Sequence, residues 1–474
     1  MKYLHFIGIG GIGMSGLAAW CRSLNIRVSG SDRDAGKKEN SHIFGPLRNQ
    51  GIELFPQDGS FAKAGLPDAL IYSSAIEEDN PDFLAAPGIR RIHRSQLLAE
   101  LLKLQQQHDD LCSIAVAGSC GKSTVTAYMA EAVTNCGEDS GFLNGAISKR
   151  FATGSSTGNF HQGSGKYFVF EADESDKSLL NYTPDYSIIL NMGTDHYSKE
   201  ELAEVFGTFL NRTRKGAVIE RQVVEAVKPF LNNPGLQLKI FDTVKRPDSE
   251  YFISEYSVIA DGSGKNTPAA VFNDLHKVIL PAPGRHTAAN ALAIFAMLEL
   301  MGMPQAQALQ AIHSFEGIKR RNDCAGTTSQ GVPVYDDYAH NPEKIASCLN
   351  MLAEITEKRI FAVFQPHGFG PLGFFRNELF ETLEKTLRSE DRFFMLPPFY
   401  AGGTSSFKPT SQEVIAEWKQ RAKHPEQYTF SDDREQLRNE LLALSAPGDL
   451  IVIMGARDNS LSLYASSFCS DAQQ

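Results

Sequence analysis

Lys122 and Ser123 follow Gly118-Ser119-Cys120-Gly121 and precede Thr124. The apolar run Cys112–Ala117 comes before them, and a helical pattern comes after. A lysine and a hydroxyl at the mouth of a glycine turn between strand and helix suit a nucleoside triphosphate. Backbone N–H groups wrap the phosphates, Lys122 reaches the β- and γ-phosphates, and Ser123 offers an oxygen to Mg²⁺. The loop is shorter than the full nucleotide-loop pattern, because Val116 stands where that pattern has its first glycine. A structural glycine–lysine turn at a helix start is the plain alternative.

A second cradle lies near the start of the chain. Gly8, Gly10 and Gly13, with Gly11 between them, fit G-x-G-x-x-G after the apolar run Tyr3–Ile9. Small residues let the backbone approach a pyrophosphate at a helix N-terminus. Asp32 follows at the distance of a ribose-binding acid. Alone, this loop reads as a dinucleotide fold. Two cradles in successive α/β units suggest instead that one nucleotide carries a substrate and the other supplies energy.

Acids stand where a metal would need them. Glu171, Asp173, Glu174 and Asp176 follow the apolar run Tyr167–Phe170, and Asp195-His196 follow Tyr186–Leu190. Mg²⁺ takes hard oxygen ligands, so Ser123 with one carboxylate of the first group makes a sensible site, and His196 is a further candidate. A solvated acidic loop and an ordinary polar histidine are the bland readings.

The elements that position these residues alternate strand and helix, which implies parallel sheets with crossovers. The polar stretch Gln105–Asp110 interrupts the pattern, and the pattern restarts near Phe315–Arg321. The segments are then 1–107, 108–314 and 315–474. In the last one, Val332–Tyr335, Ile360–Phe364, Arg392–Leu396 and Leu450–Met454 read as strands and Glu343–Glu354 as a helix. The expected class is α/β with three domains: a Rossmann-like first domain, a central nucleotide-loop ATPase-like parallel sheet, and a Rossmann-like third domain.

Composition narrows the partners. The formal net charge of -10 over 474 residues argues against nucleic acid. No apolar stretch is long enough to span a bilayer, and the glycines of the first twenty residues fit a buried turn better than a secretion signal. Seven cysteines, an odd number without metal-ligand spacing, read as free thiols of a reducing cytoplasm.

The ordered set Gly8–Gly16, Ala117–Thr124, Glu171–Asp176, Asp195-His196, Pro283–Ala293, Phe315–Arg321, Asp336–Pro342 and Gln365–Gly370 resembles the Mur ligases of bacterial cell-wall synthesis over nearly the whole chain. The resemblance implies that ATP phosphorylates the lactyl carboxylate of UDP-N-acetylmuramate. The amine of L-alanine then attacks the acyl phosphate to give an amide for peptidoglycan synthesis. It implies that Gly8, Gly10, Gly11, Gly13, Asp32, Ser73 and Ser74 hold the UDP-sugar, and that Gly118, Ser119, Cys120, Gly121, Lys122, Ser123 and Thr124 hold the ATP phosphates. His286 and Asn290 are implied at adenine, and Arg320, Arg321 and Asp337 reach ATP from the third domain. Lys122, Glu171, His196 and His340 are implied at the reacting groups, with Ser123, Glu171 and His196 around Mg²⁺. A monomer or homodimer is expected.

Two departures bear on this. The usual family loop reads G-T-H-G-K-T, and here Cys120 replaces its imidazole. Alanine-adding members resemble one another in carrying two arginines just after the Gln365-Pro366-His367 position. Here Gly368–Leu372 has none, which leaves Arg376 or Arg457 for the acceptor carboxylate. A ligase that adds L-Ala-D-Glu-diaminopimelate to the same sugar nucleotide is therefore an alternative. A catalytically silent relative and an NAD-dependent oxidoreductase are weaker ones, since Lys122, Ser123 and Glu171 are all retained.

Overall fold

The computed structural model describes residues 1–37, 40–108, 111–193, 197–260, 266–400 and 407–469. By contacts the chain forms two compact units. One comprises 1–259 with 267–318, and the other 260–266 with 319–474. Residues 315–318, expected to open the third segment, pack within the first unit.

The first unit holds two main sheets, beside a short antiparallel pair, Ala152–Thr153 with Ser156–Thr157. The smaller has five parallel strands in the order Glu53–Phe55, Arg27–Ser31, Tyr3–Ile7, Ala69–Tyr72 and Arg90–His93. The order reverses at the central strand Tyr3–Ile7. Ligands bind at the carboxyl edge of such a switch point, and Gly8 to Gly13 lie there. The central strand is buried at every position, which fits its mostly apolar sequence, and its one polar member, His5, bonds Ser29 Oγ at 2.8 Å.

The larger sheet has ten strands. Its parallel centre runs Gly141–Leu143, Tyr167–Glu171, Cys112–Ala117, Tyr186–Ile189, Gly216–Glu220 and Gln237–Asp242. Register places Glu171 opposite Val116 and Ile189 opposite Ala117. The residues after all three strands therefore meet at one edge. The strands Tyr251–Ala260, Asn266–Phe272 and His276–Ile279 extend the sheet beyond the sequence expectation. They carry polar residues among the apolar ones, so they give no clear buried-strand signal.

The two sheets are packed together through the helix Ile12–Ser23. Trp20 is fully buried and stacks on Phe168 of the larger sheet at 4.4 Å between ring centroids. Gly16 allows this approach, since a Cβ there would lie 2.7 Å from Leu143.

The second unit has six strands in the order Asp323–Thr327, Pro333–Asp337, Leu450–Gly455, Ile360–Gln365, Arg392–Met395 and Tyr428–Phe430. All neighbouring pairs are parallel except the first. The α/β class with parallel-rich sheets is as expected. Among the described residues, no helix is long and apolar enough to cross a membrane.

Candidate active site

The strand Cys112–Ala117 ends in a loop whose shape depends on two glycines. Gly118 has φ +135° and Gly121 φ +87°, and a Cβ on Gly118 would lie 3.2 Å from the backbone nitrogens of Leu190 and Asn191. Larger residues cannot hold that path. Asn191, after the neighbouring strand, clamps the loop: its Oδ1 accepts the Cys120 N–H at 2.8 Å and its Nδ2 donates to the Cys120 carbonyl at 2.9 Å. Ser119 Oγ accepts the Gly193 N–H at 2.8 Å. The helix Lys122–Asn135 follows with no side chain capping its start. Its first N–H groups and dipole favour an anion.

Lys122 Nζ donates to the Gly118 carbonyl at 2.9 Å and to Glu174 Oε2 at 2.7 Å, with Asp173 at 3.6 Å. Burial works against its ammonium, yet Glu174, Asp173 and Glu171 outweigh that and raise its pKa. Lys122 stays charged at neutral pH. Burial pushes Asp173 upward too, but Lys122, the Ser175 groups and Arg94 hold it below the ordinary range.

Beside the lysine lies an oxygen corner. Ser123 Oγ donates to Glu171 Oε2 at 3.0 Å, and the Gly145 N–H donates to the same oxygen at 2.9 Å. Octahedral Mg²⁺ with bonds of ~2.0–2.1 Å sets neighbouring oxygens ~2.9 Å apart, so this spacing fits two adjacent ligand positions. Asn144 Nδ2 donates to the Ser123 carbonyl at 3.0 Å, while its buried Oδ1 has no partner. Among the described residues, no group of three or more His, Cys, Asp or Glu is arranged to hold a metal ion by itself. Asp195 and His196 lie outside the described residues.

Two cavities are lined by residues that bond or approach the loop. One, of about 1040 Å³, is lined by Asn191, Arg285, His286, Ala289 and Asn290 among others. Asn290 comes within 3.6 Å of where a Gly121 Cβ would stand, and His286 lines the same cavity as Asn290. The other, of about 280 Å³, runs from Gly13 past Arg94 to Asn144, Gly145, Glu171 and Asp173. It joins the first cradle to the oxygen corner.

In that first cradle, Gly8 has φ +73°, and the helix Ile12–Ser23 begins without a side-chain cap. Asp32 does more than face a ligand: one oxygen accepts the Gly10 N–H at 2.8 Å and the other the Asp34 N–H at 2.9 Å. It thereby fixes the glycine turn. Gly11 packs over the Gly8 carbonyl. Ser73 and Ser74 follow the strand Ala69–Tyr72, which pairs with Tyr3–Ile7, so they share this edge.

Arg94 was missed in the sequence. One guanidinium nitrogen lies 3.0 Å from a Gly13 Cβ position, while another lies 3.7 Å from Asp173 and 3.9 Å from Asp176. An arginine at the start of an otherwise ordinary helix, Arg94–His108, gives no local signal. Asn144 was missed for the same reason, and Glu174, expected only as one of several possible metal-binding acids, pairs instead with Lys122.

The second unit gathers its own candidates at one sheet edge, because Asp337 pairs with Met454 and Gln365 with Gly455. Arg320 turns inward: its Nη2 donates to the Gly455 carbonyl at 2.6 Å and its Nε lies 3.6 Å from Asp336. Arg321 stacks over Tyr338. Asp337 is buried and accepts the Asn322 and Ala339 N–H groups, each at 2.7 Å. Burial raises its pKa despite Arg321. His340 Nδ1 donates to the Tyr338 carbonyl at 2.9 Å, which leaves Nε2 as the acceptor. Burial, with Lys344, His367 and Arg321, pushes its pKa down to about 4.

Arg376 lines the same recess as His340 and His367, although its Nη1 is spent on the Gly373 carbonyl. Arg457 acts on His367, whose pKa burial lowers first and Arg457 lowers further. The recess offers only about 10 Å³, room for one ordered water at most.

Three family models match the chain in order: "Mur ligase family, catalytic domain" over residues 3–106, "Mur ligase middle domain" over 116–298, and "Mur ligase, glutamate ligase domain" over 320–457. The chain belongs to the Mur ligase family. As a Mur ligase it forms a carbon–nitrogen bond at the expense of ATP. UDP-N-acetylmuramate–L-alanine ligases of Agrobacterium fabrum and Rhodospirillum rubrum are 32% and 31% identical to it. These matches cover 96% and 98% of this chain and 93% of each relative. The solved UDP-N-acetylmuramate-alanine ligase of Thermotoga maritima is 25% identical, with TM-score 0.78 over 98% of this Mur ligase and 97% of that chain. A murein peptide ligase from Psychrobacter arcticus shares the fold at 20% identity, with TM-score 0.68 over 99% and 100% of the two chains.

Proposed function

We propose that this Mur ligase joins the lactyl carboxylate of UDP-N-acetylmuramate to the amine of L-alanine, in the cytoplasm, with ATP and Mg²⁺. The observation that carries the reading is the cavity from Gly13 to Glu171. A molecule with its pyrophosphate on the first glycine turn and its acid group at the oxygen corner has to run through it. That is the layout of a nucleotide-linked acid, and a dehydrogenase has no use for it. The relatives' names supply the acceptor.

In this reading the uncapped start of helix Lys122–Asn135 receives the ATP phosphates, and Lys122 leaves Glu174 to follow the γ-phosphoryl group. Ser123 and Glu171 would hold Mg²⁺, which when bound would offset negative charge on the phosphates. His286 and Asn290 border the adenine, in the larger cavity. The carboxylate oxygen attacks the γ-phosphorus, ADP leaves, and an acyl phosphate results. The amine then attacks the carbonyl carbon and phosphate departs. The neutral Nε2 of His340 is assigned to accept a proton from the ammonium of the acceptor. Arg321 is the better assigned of the arginine pair for ATP, since Arg320 is held by Gly455 and Asp336.

The test is phosphate release from ATP with UDP-N-acetylmuramate and a panel of L-alanine, L-serine, glycine and L-Ala-D-Glu-diaminopimelate. Stimulation by L-alanine is expected, and stimulation by the tripeptide alone would replace the acceptor. Lys122→Ala should lower kcat at least ~1000-fold, and full activity in that variant would refute the assigned phosphate site.

A further inference from the structure

A buried acid sits behind the phosphate loop, away from every group used above. Glu131 lies on the helix Lys122–Asn135 and is 0% exposed. Its Oε2 accepts the Glu316 N–H at 3.0 Å, and its Oε1 accepts from Ser148 Oγ at 3.3 Å. Those partners belong to two segments that pair with each other. Ser148 bridges Ile318, and the Lys149 N–H donates to the Gly317 carbonyl at 3.0 Å.

Both segments lead to chemistry. The first begins at Asn144 and Gly145, which bond Ser123 and Glu171. The second ends at Ile318, where the first unit gives way to the second unit and its Arg320 and Arg321. The same helix grips the second segment elsewhere. Tyr128 hydroxyl donates to the Ile312 carbonyl and its ring stacks on Phe315 at 4.6 Å, while Asn135 Nδ2 donates to Ser314 Oγ at 3.0 Å. Ala127, Ala146 and Ile318 pack into one apolar cluster that Phe315 joins.

We propose that Glu131 is a positioning residue: it clasps the exit segment 314–318 and the loop 144–150 to the helix that carries Lys122 and Ser123, and its ionisation loosens that clasp. A fully buried carboxylate with one N–H and one hydroxyl is under-solvated, so the neutral acid fits the site better. The charged and titratable groups facing it are Arg150 on the loop, the Glu316 carboxylate on the exit segment, and Tyr128 on its own helix. Burial dominates over these, and the Glu131 pKa rises from 4.5 to about 7.

The sign follows from linkage. An opened clasp hydrates Glu131 and returns it to its ordinary pKa, so opening releases a proton between those two values. The clasp is firm at acid pH, loosens as pH rises from about 5 to about 7, and levels off above. Amides of the exit segment, corrected for intrinsic exchange, should therefore open about 10-fold or more at pH 7.5 relative to pH 5.

The experiment is hydrogen exchange of residues 314–318 in the full chain across that range, for wild type and Glu131→Gln. The glutamine keeps an oxygen for the Glu316 N–H and turns an NH₂ toward Ser148, but cannot ionise. Its exchange should show no excess pH dependence, and its turnover at pH 6 should stay within about twofold of wild type. The kcat–pH profile should lose an inflection near pH 7. The same rise in exchange in Glu131→Gln would overturn the proposal, and so would an unchanged kcat inflection. Exchange needs no substrate, so failure of the ligase reading, on which only the kinetic arm rests, remains distinguishable.

Discussion

Each reactive residue here is set by what its neighbours do to its charge. Lys122 is held by Glu174 and Asp173, and Asp173 is shared with Arg94. The acids thus hold both cations in place. Arg94 faces the first cradle with one nitrogen and the acids with another. Arg94→Ala should raise KM for UDP-N-acetylmuramate about 10-fold or more, by loss of a charge-assisted contact, with KM for ATP changed far less. Initial-rate kinetics separates the two, and equal effects on both would place Arg94 elsewhere.

His340 gives a prediction in pH. Burial holds its pKa near about 4, so the neutral form persists throughout the range where an ordinary histidine would gain a proton. As pH falls, the base is lost only on passing about 4. The kcat profile should show no limb between pH 5 and 8 that vanishes in His340→Asn. Such a limb would mean the ring is charged in the working enzyme.

Elements place these residues through glycine and register. The first cradle closes because Gly10 leaves room for two neighbours. A Cβ there would stand 2.6 Å from Phe44 and 2.8 Å from Asp32. The Asp32 carboxylate would have to move, and with it the bond that fixes the turn. Gly10→Ala should cost about 1–3 kcal/mol of stability and weaken sugar-nucleotide binding. Thermal melting with and without UDP-N-acetylmuramate measures both, and a variant with unchanged ligand-induced Tm shift would show that the turn tolerates the methyl. In the larger sheet, register alone sets Glu171 and Asn191 on either side of Gly118.

Over the whole molecule, the first unit works because its two sheets share a buried wall. Trp20 lies against Phe160 and Phe168 at 6.0 and 4.4 Å, and Asn159 Nδ2 donates to Ser15 Oγ at 2.9 Å. Trp20→Ala should cost about 3–5 kcal/mol through the cavity left behind. It should also raise KM for the sugar nucleotide, since the wall aligns the cavity between the cradles. Urea unfolding followed by circular dichroism reads the first effect. A loss under 1 kcal/mol would show that the sheets hold together without it.

Local sequence determined the strands and the loops that follow them. Ile114–Ala117 and Ile360–Phe364 are continuous apolar runs ended by glycine or polar residues, and a strand buried on both faces can be written in few other ways. Lys122, Ser123 and the glycines of both cradles were legible because tight backbone approach and phosphate binding demand those residue types at adjacent positions. Arg94, Asn144 and Glu131 were not. Each is an ordinary residue in its own segment, and its role comes from partners 17 to 185 positions away. Charge pairing and desolvation act through space, so only the folded chain decided which acid faces a cation and which is left buried behind the phosphate loop.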